Sequence, residues 1–513
     1  MNTKTMQIGP KTFEELQAFE KELDAIGAAE RQTLGERDAR YIKGILRAVR
    51  LLEIAGRGLM MFGWFPPTWL LGTFLLGMAK IIDNMELGHN VMHGQFNFMN
   101  DPRFHGDTFE WDNTCPKEEW RHAHNFVHHT YTNVIGKDRD FGYGLLRLSS
   151  DLRWSLLHPF QLLLTALLAL FFEWFVAIHD MQMDKVVIGR KKWSDVRPQW
   201  LLVRAKIWKV IRRDYIGWPL VGVAVGALFG HAVDTGLAVL MGHVVSNLIR
   251  NVWAWAIIFC GHFTEDIYTF SRESIEGETK GQWYLRQILG SSNISGGKLM
   301  HLMSGNLSHQ VEHHLYPDIP ANRYIEMAPK VRAVCAKYGI PYNTGNFAWQ
   351  LGTVFKRIAR YSLPGGPQKA VHIEVESILP ERAWPAAHYA RVVQGLCAAG
   401  HAVGLIGLKD DAVLARDLKA QVGSENCIDL TGYTKSIREL LMLMHAAKLL
   451  LTNDGGPSHF ATVTPIQTMV FFGPETGKLY GPLGSRTIIL ESGVACSPCL
   501  TAYNHRLSFC DGD

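Results

Sequence analysis

The sequence WRHAHNFVHHTYTN, residues 120–133, carries four histidines within eight positions. Three of them form an H-x-x-x-H-H pattern at His124, His128 and His129. On a helix, positions i and i+4 share a face, so His124 and His128 are expected to reach one ion. His129 lies about 100° around the same helix and could bind a second ion, or the same ion from the side. The stretch therefore predicts metal binding by imidazoles on a helix.

Two further histidine groups occur elsewhere in the chain, and both adjoin apolar sequence. Imidazole suits iron, zinc and copper. Zinc normally takes four ligands, so eight histidines in three groups predict a two-metal site, for which iron is the natural oxygen-activating choice. One pair alone would favour ordinary surface or core histidines, whereas three groups together make that interpretation poor. The additional histidines are His89 and His93 in GHNVMHG, and His309, His313 and His314 in HQVEHH.

The residues around the histidines carry a resemblance to a known family. The sequence NME precedes the first group, Trp120 and Asn125 accompany the second, and QVEHHLYPDIP contains the third. Over about residues 40–345, the chain resembles the membrane fatty acid desaturase family. The resemblance implies an oxidoreductase that introduces a double bond into a fatty acyl chain, carried on CoA or on a membrane lipid. It also implies two iron ions as cofactors and O2 as co-substrate.

The resemblance has consequences for the partners of the reaction. Electrons must be supplied, and the His-Pro-Gly-Gly motif of a fused haem domain does not occur in the sequence. We therefore expect an external electron donor, a separate electron-transfer protein such as a ferredoxin or a cytochrome. The net charge of +4 over 513 residues is too small to predict a nucleic-acid partner. The other expected partners are the fatty acyl substrate and membrane lipid.

A further metal ligand is expected outside the three groups, and the family resemblance supports it. The last long apolar stretch ends at His262, which shares a helical stripe with Asn251 and Ile258. His262 could therefore point at the metal site, with Glu265 or Asp266 orienting it. An imidazole that is satisfied at the membrane interface is the alternative.

Residues next to the histidines are expected to orient the metal ligands. Metal-bound imidazoles often donate their second N–H to a carboxylate, which predicts this role for Glu86, Asp138 and Asp140. A cation partner for Glu86 and surface positions for the two aspartates are the alternatives. In the third group the family often has glutamine where other members have histidine, and this sequence has both His309 and Gln310. Only one of those two need match the ligand position.

Apolar stretches predict a protein that crosses a membrane, since a crossing needs about 20 apolar residues. Residues 41–64 and 68–82 flank a proline pair and predict two helices in a tight hairpin, or alternatively a single span. Residues 215–233 and 236–259 predict two more crossings. Basic residues at the start of the first stretch predict that this end is cytoplasmic.

Residues 160–178 are also apolar, but Glu173 interrupts them. All three histidine groups must meet on one face of the membrane, and a fifth crossing would put the third group on the wrong side. We therefore predict that residues 160–178 lie in the interface or under the metal site. Residues 185–213 hold ten lysines and arginines interleaved with tryptophans, which predicts a cytoplasmic surface facing anionic lipid.

These predictions define a fold class and a location. The fold class is a mainly α membrane protein, with four transmembrane helices and a cytoplasmic helical metal domain, followed by a soluble α/β Rossmann-like domain. The predicted location is a bacterial inner membrane, with the metal site and the C-terminal domain in the cytoplasm. Eight cysteines and the lack of a visible signal peptide favour a reducing compartment. The predicted parts are a polar segment at 1–40 with a solvated amphipathic helix at 13–26, the desaturase domain at 41–345, a linker at 346–369 and the α/β domain at 370–513.

The chain changes to α/β character after the breaker sequence LPGGP, residues 363–367. Residues 402–407 and 448–452 predict buried strands. Residues 386–399 and 436–447 predict helices. Alternating strands and helices predict a parallel sheet.

One motif in this part could bind a phosphate. The sequence LTNDGGPSHF follows a predicted strand and precedes a helix, where backbone amides can approach a phosphate. With FFGPE, the prolines at 380 and 385, and CSPC, it makes residues 370–513 resemble the nucleotide-sugar-binding half of the heptosyltransferase-like glycosyltransferases. The desaturase stands where the acceptor-binding half would be, so a binding remnant or an added module is expected. The residues predicted to bind a nucleotide-sugar are Asp454, Gly455, Gly456, Ser458 and His459.

Cys496, Cys499 and Cys510 could hold zinc with one more ligand, but a reduced structural set is favoured because no fourth ligand is obvious.

The predicted function, oxygen-dependent di-iron desaturation, leaves three alternatives open. A hydroxylase or ketolase could use the same histidines, a glycosyltransferase could use the membrane part as an anchor, and a lipid-binding protein could lack catalysis. Analysis of the products would identify a hydroxylase or ketolase. Transfer of a donor sugar would identify a glycosyltransferase, and lipid binding that is retained without iron would identify a lipid-binding protein.

Overall fold

The chain divides into two units, Met1–Val375 and Glu376–Asp513, and each is described by itself. The computed structural model describes residues 4–6, 8–275, 278–365, 370–373, 384, 386–408, 411–473 and 476–491. The predicted zinc ligands Cys496, Cys499 and Cys510 lie outside these residues. So do the prolines at 380 and 385 and the last two residues of FFGPE.

α-Helices form most of the first unit, and π-helical segments interrupt them. The α-helices are α1 Phe13–Gln32, α2 Glu36–Met60, α3 Pro66–Ile82, α4 Asn90–Met92, α5 Lys117–Trp120, α6 His129–Tyr131, α7 Gln161–Leu170, α8 Phe172–Asp180, α9 Met183–Val187, α10 Trp193–Val210, α11 Trp218–Ala227, α12 Ala232–His262, α13 Lys280–Leu289, α14 Lys298–Met303, α15 Gln310–Leu315, α16 Tyr324–Lys337 and α17 Phe347–Tyr361. The π-helical segments are Asp83–His89, Arg121–His128 and Ile211–Gly217. The strands are β1 Lys4–Met6, β2 Thr269–Phe270, β3 Asn293–Ser295, β4 Thr344–Asn346 and β5 Ala370–Ile373, paired in parallel in the orders β1-β5-β2 and β3-β4.

The predicted helix break at the proline pair is confirmed, and it separates α2 from α3. Proline fits the first turn of α3 because it has no N–H to leave unpaired there. The two helices approach closely at Gly56 and Gly72, where a Cβ built on Gly72 would lie 2.7 Å from the Gly56 carbonyl oxygen. Glycine therefore lets the two backbones of this hairpin touch.

The second helical hairpin differs from the prediction at one end. A continuous helical run from α10 through Ile211–Gly217 ends with α11 at Ala227, and α12 begins at Ala232. Gly230 lies in the turn between them with a φ of +78°. The predicted span 215–233 is therefore wrong at its C-terminal end, because the chain reverses at this glycine before it reaches Val233.

Among the described residues, Ala232–His262 is the helix that has the length and apolar composition to cross a membrane. A second candidate is the pair His158–Leu170 and Phe172–Asp180, which is bent by 97° at the break between its helices. Glu173, the acidic residue that interrupts this apolar sequence, is buried and ion-paired with Arg250 of α12. An ion pair thus links the helix that follows the bend to α12.

Both hairpins present large apolar side chains on their outer faces. Contiguous apolar surface of this kind marks a membrane or protein interface, because water would otherwise be ordered over it. The exposed side chains include Leu51, Ile54, Leu70, Phe74, Leu220, Val233, Leu237 and Met241.

The N-terminal helix, expected to be solvated, is packed into the first unit. Thr12 caps α1 by accepting a hydrogen bond from the Glu15 backbone N–H at 3.2 Å. Leu16, Phe19 and Leu23 of α1 are buried against α13, α15 and α16. The expectation of a solvated helix is therefore wrong, because the apolar face of α1 covers the elements around the third histidine group.

Part of the predicted linker is also a packed helix. Residues 347–361 form α17, in which Ile358 is buried. The buried Arg357 donates hydrogen bonds to the carbonyl oxygens of Leu148 and Thr264, both at 2.8 Å. Residues 347–361 therefore belong to the first unit, because Ile358 is buried there and the Arg357 guanidinium donates its hydrogen bonds there.

Strands and helices alternate in the second unit, which confirms its predicted α/β character beside a mainly α first unit. Its elements are α18 Ala386–Ala398, β6 Val403–Leu405, α19 Ala412–Val422, β7 Cys427–Asp429, α20 Ile437–Ala446, β8 Leu449–Asn453, α21 Gly456–Ala461, β9 Gln467–Phe472, α22 Gly477–Tyr480 and β10 Thr487–Glu491. β6 pairs with β7, and a second parallel sheet has the order β10-β9-β8. The strands are less buried than predicted, since Leu449 at the start of β8 is 43% exposed.

Candidate metal centre

Four pieces of the first unit bring the predicted histidines together. The π-helical segment Asp83–His89 continues into α4, and Arg121–His128 continues into α6. The third group lies on α15, and α12 ends at His262. π-Helical turns occur mostly at functional sites, and here two of them carry metal-binding side chains.

The first set of ligand atoms comes from three of these pieces. One ring nitrogen from each histidine of this set lies within 4.8 Å of all the others. His89 Nε2 lies 3.4 Å from His124 Nε2. Two nitrogens bound to one ion at about 2.1 Å in a tetrahedral arrangement are about 3.4 Å apart, so the spacing fits a shared ion. The set is His89, His93, His124 and His313.

The second set consists of His128, His262 and His314, whose ligand atoms also lie within 4.8 Å of one another. His314 Nε2 lies 3.1 Å from His262 Nε2. Gln310 Nε2 lies 2.8 Å from the same nitrogen of His262. The structure therefore brings both His262 and Gln310 to the cluster, as the sequence predicted.

Ligand atoms of His124 and His128 lie within 4.8 Å of each other and of Asp140, so the expectation that they serve one ion stays open, but each also belongs to a different all-histidine set. His124 faces the first set and His128 faces the second, although the two rings stack with centroids 5.1 Å apart. A π-helical turn takes more than four residues, so position i+4 falls short of the face of position i. The adjacent residues His313 and His314 are divided between the sets in the same way, because neighbours on a helix point about 100° apart.

His129 lies between the two sets. Its ring centroid is 4.4 Å from that of His314 and 4.8 Å from that of His93. Both ring nitrogens of His129 and both of His313 are buried without a hydrogen-bond partner in the described chain. Such orphaned nitrogens cost desolvation energy that coordination of a cation would recover. The donor set therefore fits two metal ions.

Burial favours the neutral form of most of these imidazoles. It lowers the pKa of His89 to about 3, because the charged form is penalised away from water. Only a neutral imidazole has a free lone pair for a metal, so the cluster can bind cations throughout the neutral pH range. Burial likewise holds the pKa well below its usual value for His93, His129, His313 and His314.

Both predicted aspartates lie behind the second histidine group. His128 Nδ1 is 3.2 Å from each carboxylate oxygen of Asp138, which also accepts a hydrogen bond from the Asn133 backbone N–H at 2.8 Å. Burial opposes the charging of His128, but the Asp138 carboxylate outweighs it and raises the pKa. Asp140 Oδ2 lies 3.6 Å from His124 Nδ1. These carboxylates leave the Nε2 atoms of the two imidazoles to face the ions.

Glu86, predicted to orient His89, has other partners. Its carboxylate accepts hydrogen bonds from the Tyr41 hydroxyl at 2.8 Å and from Asn306 Nδ2 at 2.9 Å. His89 Nδ1 instead lies 3.1 Å from Asn90 Oδ1. The structure therefore gives the orienting position at His89 to Asn90, because Glu86 faces α2. Burial raises the pKa of the Glu86 carboxyl to about 8.

His309 is the predicted ligand that the structure does not bring to the cluster. Its ring stacks on that of His301 with centroids 4.6 Å apart, and its Nδ1 lies 4.0 Å from Glu312. α15 begins only at Gln310, so His309 lies outside the helix that aims His313 at the cluster. The prediction of His309 as a ligand is therefore wrong, and Gln310 occupies the position that faces the histidines.

The acids after His262 also have a different role from the one expected. Glu265 forms ion pairs with Lys356 at 2.6 Å and Arg360 at 3.2 Å, both on α17. The backbone carbonyl of Asp266 accepts a hydrogen bond from Asn343 Nδ2 at 3.4 Å. Glu265 thus links α17 to the segment that follows α12 through two ion pairs.

The roles of the groups that hold His314 and His124 were not predicted from the sequence. Thr132 Oγ1 lies 3.2 Å from His314 Nδ1, and Gln287 Oε1 lies 2.9 Å from it. Trp120 stacks on His124 with ring centroids 4.6 Å apart. Thr132 belongs to the HHTYTN sequence and could have been found there. Gln287 comes from α13, which carries no motif that would have pointed to it.

A cavity adjoins the histidines. It encloses about 900 Å³, its open mouth included. From His262 it follows one face of α12 past Ile258 and Ala254 to Arg250. An extended apolar molecule could lie there with part of its length beside the metal ligands. The lining residues are Asn84, Met85, His89, Trp111, Asn113, Trp120, Ala123, His124, His128, Asp140, Tyr143, Phe172, Glu173, Val176, Asp180, Arg250, Asn251, Ala254, Ile258, His262, Phe263, Leu307 and Gln310.

In the second unit, the predicted phosphate-binding motif follows a strand and precedes a helix, as expected. β8 ends at Asn453 and α21 begins at Gly456, so Asp454 and Gly455 form the turn between them. Ser458 Oγ donates a hydrogen bond to the Gly455 carbonyl oxygen at 2.7 Å. The placement of the motif is confirmed, whereas nucleotide-sugar binding by it stays a prediction.

The fold and the cluster define a helical protein with a buried, multi-histidine metal site beside an elongated cavity. The chain belongs to the fatty acid desaturase family, whose model matches residues 64–346. The NADPH-dependent stearoyl-CoA 9-desaturase of Mycobacterium tuberculosis is 44% identical over 354 residues, which cover 69% of this chain and 81% of the relative. The sn-1 linoleoyl-lipid 6-desaturase of Synechocystis is 26% identical over 286 residues, or 54% of this chain and 75% of the relative. The protein is a fatty acid desaturase and therefore an oxidoreductase.

Residues 320–507 match the model of glycosyltransferase family 9 (heptosyltransferase), in agreement with the resemblance noted for the C-terminal part. The solved structure of Escherichia coli ADP-heptose lps heptosyltransferase II aligns with a TM-score of 0.21 and 19% identity. That alignment covers 31% of this chain and 65% of the other, so this chain spans less than two thirds of the heptosyltransferase.

Proposed function

We propose that the protein desaturates a fatty acyl chain with O2 as the oxidant and two iron ions as cofactors. The observation that carries the proposal is the convergence of buried imidazoles, among which both ring nitrogens of His129 and of His313 have no hydrogen-bond partner within the described chain. When bound, the irons supply the reduction of O2 and the oxidising power that removal of hydrogen from an alkyl chain requires. The proposed ligands are His89, His93, His124 and His313 for one ion, His128, His262 and His314 for the other, and His129 between them.

The net reaction removes a hydrogen atom from each of two adjacent carbons and reduces one O2 to two waters, consuming two external electrons and two protons. The side chains of this protein contribute position rather than nucleophiles. Asp138 fixes the ring of His128, and Asn90 that of His89, so the ligand nitrogens keep their directions. The cavity wall excludes water and holds one stretch of the acyl chain beside the ligands, which is how orientation accelerates a reaction.

The substrate we propose is a saturated acyl-CoA of about stearoyl length. The name of the 44% identical relative gives stearoyl-CoA as substrate and NADPH as the source of electrons. An acyl group on a membrane lipid is the second possibility, because the Synechocystis relative is named for a linoleoyl-lipid. NADPH would reach this protein through a separate electron-transfer protein of the ferredoxin or cytochrome type.

We also propose that the two helical hairpins cross a bacterial inner membrane four times, with the metal centre and the second unit in the cytoplasm. The exposed apolar side chains of α2, α3, α11 and α12 support this placement, and Ala232–His262 has the composition of a span. The bent pair α7 and α8 would lie in the interface, because its acidic residue is fastened to α12.

For the second unit, we propose a nucleotide-sugar-binding module without transfer activity. The family match supports a relationship to donor-binding domains, and the strand–turn–helix at Asp454 and Gly455 supports the location of the site. We do not propose that this unit transfers a sugar. A two-domain glycosyltransferase performs its chemistry in the cleft between its two halves, and here the desaturase stands where the acceptor-binding half would be.

The test is to express the chain in bacterial membranes and to analyse the fatty acids of the host by mass spectrometry. A variant carrying His128→Ala and His313→Ala removes one proposed ligand from each ion and serves as the negative control. New double bonds with the parent alone would establish desaturation and reveal its position. Hydroxylated chains would instead indicate oxygen insertion, and unchanged lipids with an iron-loaded, reductant-supplied preparation would contradict the proposal.

A further inference from the structure

A buried ion pair lines the cavity beside the histidines. Arg250 of α12 and Glu173 of α8 are each 4% exposed, and the guanidinium donates a hydrogen bond to the carboxylate. Glu173 Oε1 also accepts a hydrogen bond from the Thr114 backbone N–H at 3.1 Å. Arg250 Nε donates to Asn251 Oδ1 at 3.2 Å. Both charges are therefore satisfied, and neighbouring groups hold each of them in place.

The wall between this pair and the histidines is largely apolar. Ala254 and Ile258 of α12 and Phe172 of α8 all line it. Positions 250, 254, 258 and 262 share one helical face, and a rise of about 1.5 Å per residue puts Arg250 about 18 Å from His262 along the axis. Along α12, the cavity lining thus passes from the histidines, over the apolar Ile258 and Ala254, to two opposite charges.

We infer that the Arg250–Glu173 pair, named here the end pair, stops the methyl end of the acyl chain and so sets the longest chain that the enzyme accepts. The inference rests on the proposed desaturase function. A methyl group cannot displace the end pair without leaving two buried charges unpaired, which is far more costly than the burial of a few more methylenes repays. We do not assign the end pair to the polar end of an acyl-CoA, because the guanidinium already donates to Glu173 and Asn251.

The first test shortens the cavity. Ala254→Leu adds bulk to the wall between the end pair and the histidines, whereas Ala256→Leu adds the same bulk to a buried position of α12 outside the lining. Each protein receives an equimolar mixture of myristoyl-, palmitoyl-, stearoyl- and arachidoyl-CoA, and products are counted by mass spectrometry. The ratio of long to short products within one tube does not depend on how much enzyme is folded. We expect Ala254→Leu to lower that ratio about tenfold or more, the usual effect of excluding a methylene, and Ala256→Leu to leave it unchanged.

The second test lengthens the cavity with Arg250→Leu combined with Glu173→Ala. Removing both charges together avoids an unpaired buried ion, so the fold is expected to tolerate the change. We expect the ratio of arachidoyl to palmitoyl products to rise about tenfold or more. The single change Arg250→Leu leaves Glu173 unpaired and should abolish folded protein rather than change the ratio.

Each outcome decides between explanations. Opposite shifts of the product ratio in the two tests support the end pair as the stop. An unchanged product ratio in the double variant would overturn the inference. An equal loss of affinity for every acyl-CoA would also overturn it, because that result would show that Arg250 holds the polar end of the substrate. Absence of unsaturated product from the parent protein with every acyl-CoA would overturn the proposed function, and the inference with it.

Discussion

Polar groups behind several of the imidazoles hold their rings in place and influence their strength as ligands. His128 has the carboxylate of Asp138 at 3.2 Å, whereas His89 has the amide oxygen of Asn90 at 3.1 Å. His314 has the amide oxygen of Gln287 at 2.9 Å. A carboxylate makes its imidazole more basic than an amide does, so His128 is expected to donate more strongly to a metal than His89 or His314.

Replacing Asp138 tests this at the level of one residue. Asp138→Asn keeps the shape of the side chain but removes the charge behind His128, and second partners of this kind typically change metal affinity about 10- to 100-fold. We expect the purified variant to lose iron at a chelator concentration about 10- to 100-fold lower than the parent does. Iron is measured by elemental analysis after dialysis against a series of chelator concentrations.

His309→Ala is the matched control for that experiment. His309 lies against His301 and Glu312 rather than in either ligand set. Its removal should leave the chelator midpoint where it is in the parent. A large loss of iron from His309→Ala, or unchanged iron retention by Asp138→Asn, would contradict the assignment of the ligands.

At the scale of the helices, two glycines of α2 lie two positions apart in very different surroundings. A Cβ on Gly56 would lie 2.8 Å from the backbone nitrogen of Leu76 and 2.9 Å from the Gly72 carbonyl oxygen. A Cβ on Gly58 would meet nothing within 4 Å. We expect Gly56→Ala to lower the free energy of unfolding by about 1–3 kcal/mol through overpacking. Gly58→Ala should be neutral or raise it by about 1 kcal/mol, because alanine favours the helix.

Denaturant unfolding in detergent, followed by circular dichroism, compares the two variants with the parent. Equal stabilities of Gly56→Ala and Gly58→Ala would show that α2 and α3 do not touch at this glycine.

A buried ion pair joins α2 to the segment before α16. Arg323 donates to both carboxylate oxygens of Asp38, at 2.9 Å and 2.7 Å, and donates to Glu30 at 3.1 Å. Both partners are buried, and removing the charge of Asp38 leaves the guanidinium with Glu30 as its remaining carboxylate. We expect Asp38→Asn to lower the free energy of unfolding by about 1.5–3 kcal/mol, the usual effect of weakening hydrogen bonds between charged groups. Denaturant unfolding of parent and variant at neutral pH measures the difference.

The same pair predicts a pH dependence. Burial tends to raise the pKa of Asp38, but the bonds from Arg323 outweigh it, and the pKa lies below its usual value. A folded-state pKa below the unfolded value of about 3.9 means that the stabilisation is complete above that pH and is lost as the pH falls through the folded value. The stability difference between parent and Asp38→Asn should therefore be constant from about pH 8 to about pH 5 and shrink in stronger acid. A difference that shrinks above about pH 5 would show that another group controls it.

For the whole molecule, the two units are expected to be separable in function. The ligand sets and the cavity lie within residues 84–314, and the 44% identical relative aligns over 354 residues of the chain. A chain ending at residue 375 should therefore desaturate acyl chains at a rate within about twofold of the full-length protein, as expected for an independent domain. Product formation per mole of bound iron is the measurement. A truncated protein that binds iron but forms no product would assign the second unit a part in the reaction.

The amino-acid sequence by itself determined the chemistry of this protein. Histidines at short spacings, with Trp120 and Asn125 around them, predicted a metal site and indicated the family, because metal affinity depends on residue type and local spacing. The proline pair and the LPGGP sequence similarly marked helix ends and the change to α/β character, because backbone conformation is restricted locally there.

Only the tertiary structure decided which residues act together. His313 and His314 are neighbours in the chain yet face different ligand sets, because side-chain direction depends on how each helix is rotated against the others. Glu173 reads in sequence as an interruption of an apolar stretch, and its partner Arg250 comes from a distant helix. A buried charge requires a partner, but the sequence does not say which one, since the choice is made by packing between elements far apart in the chain.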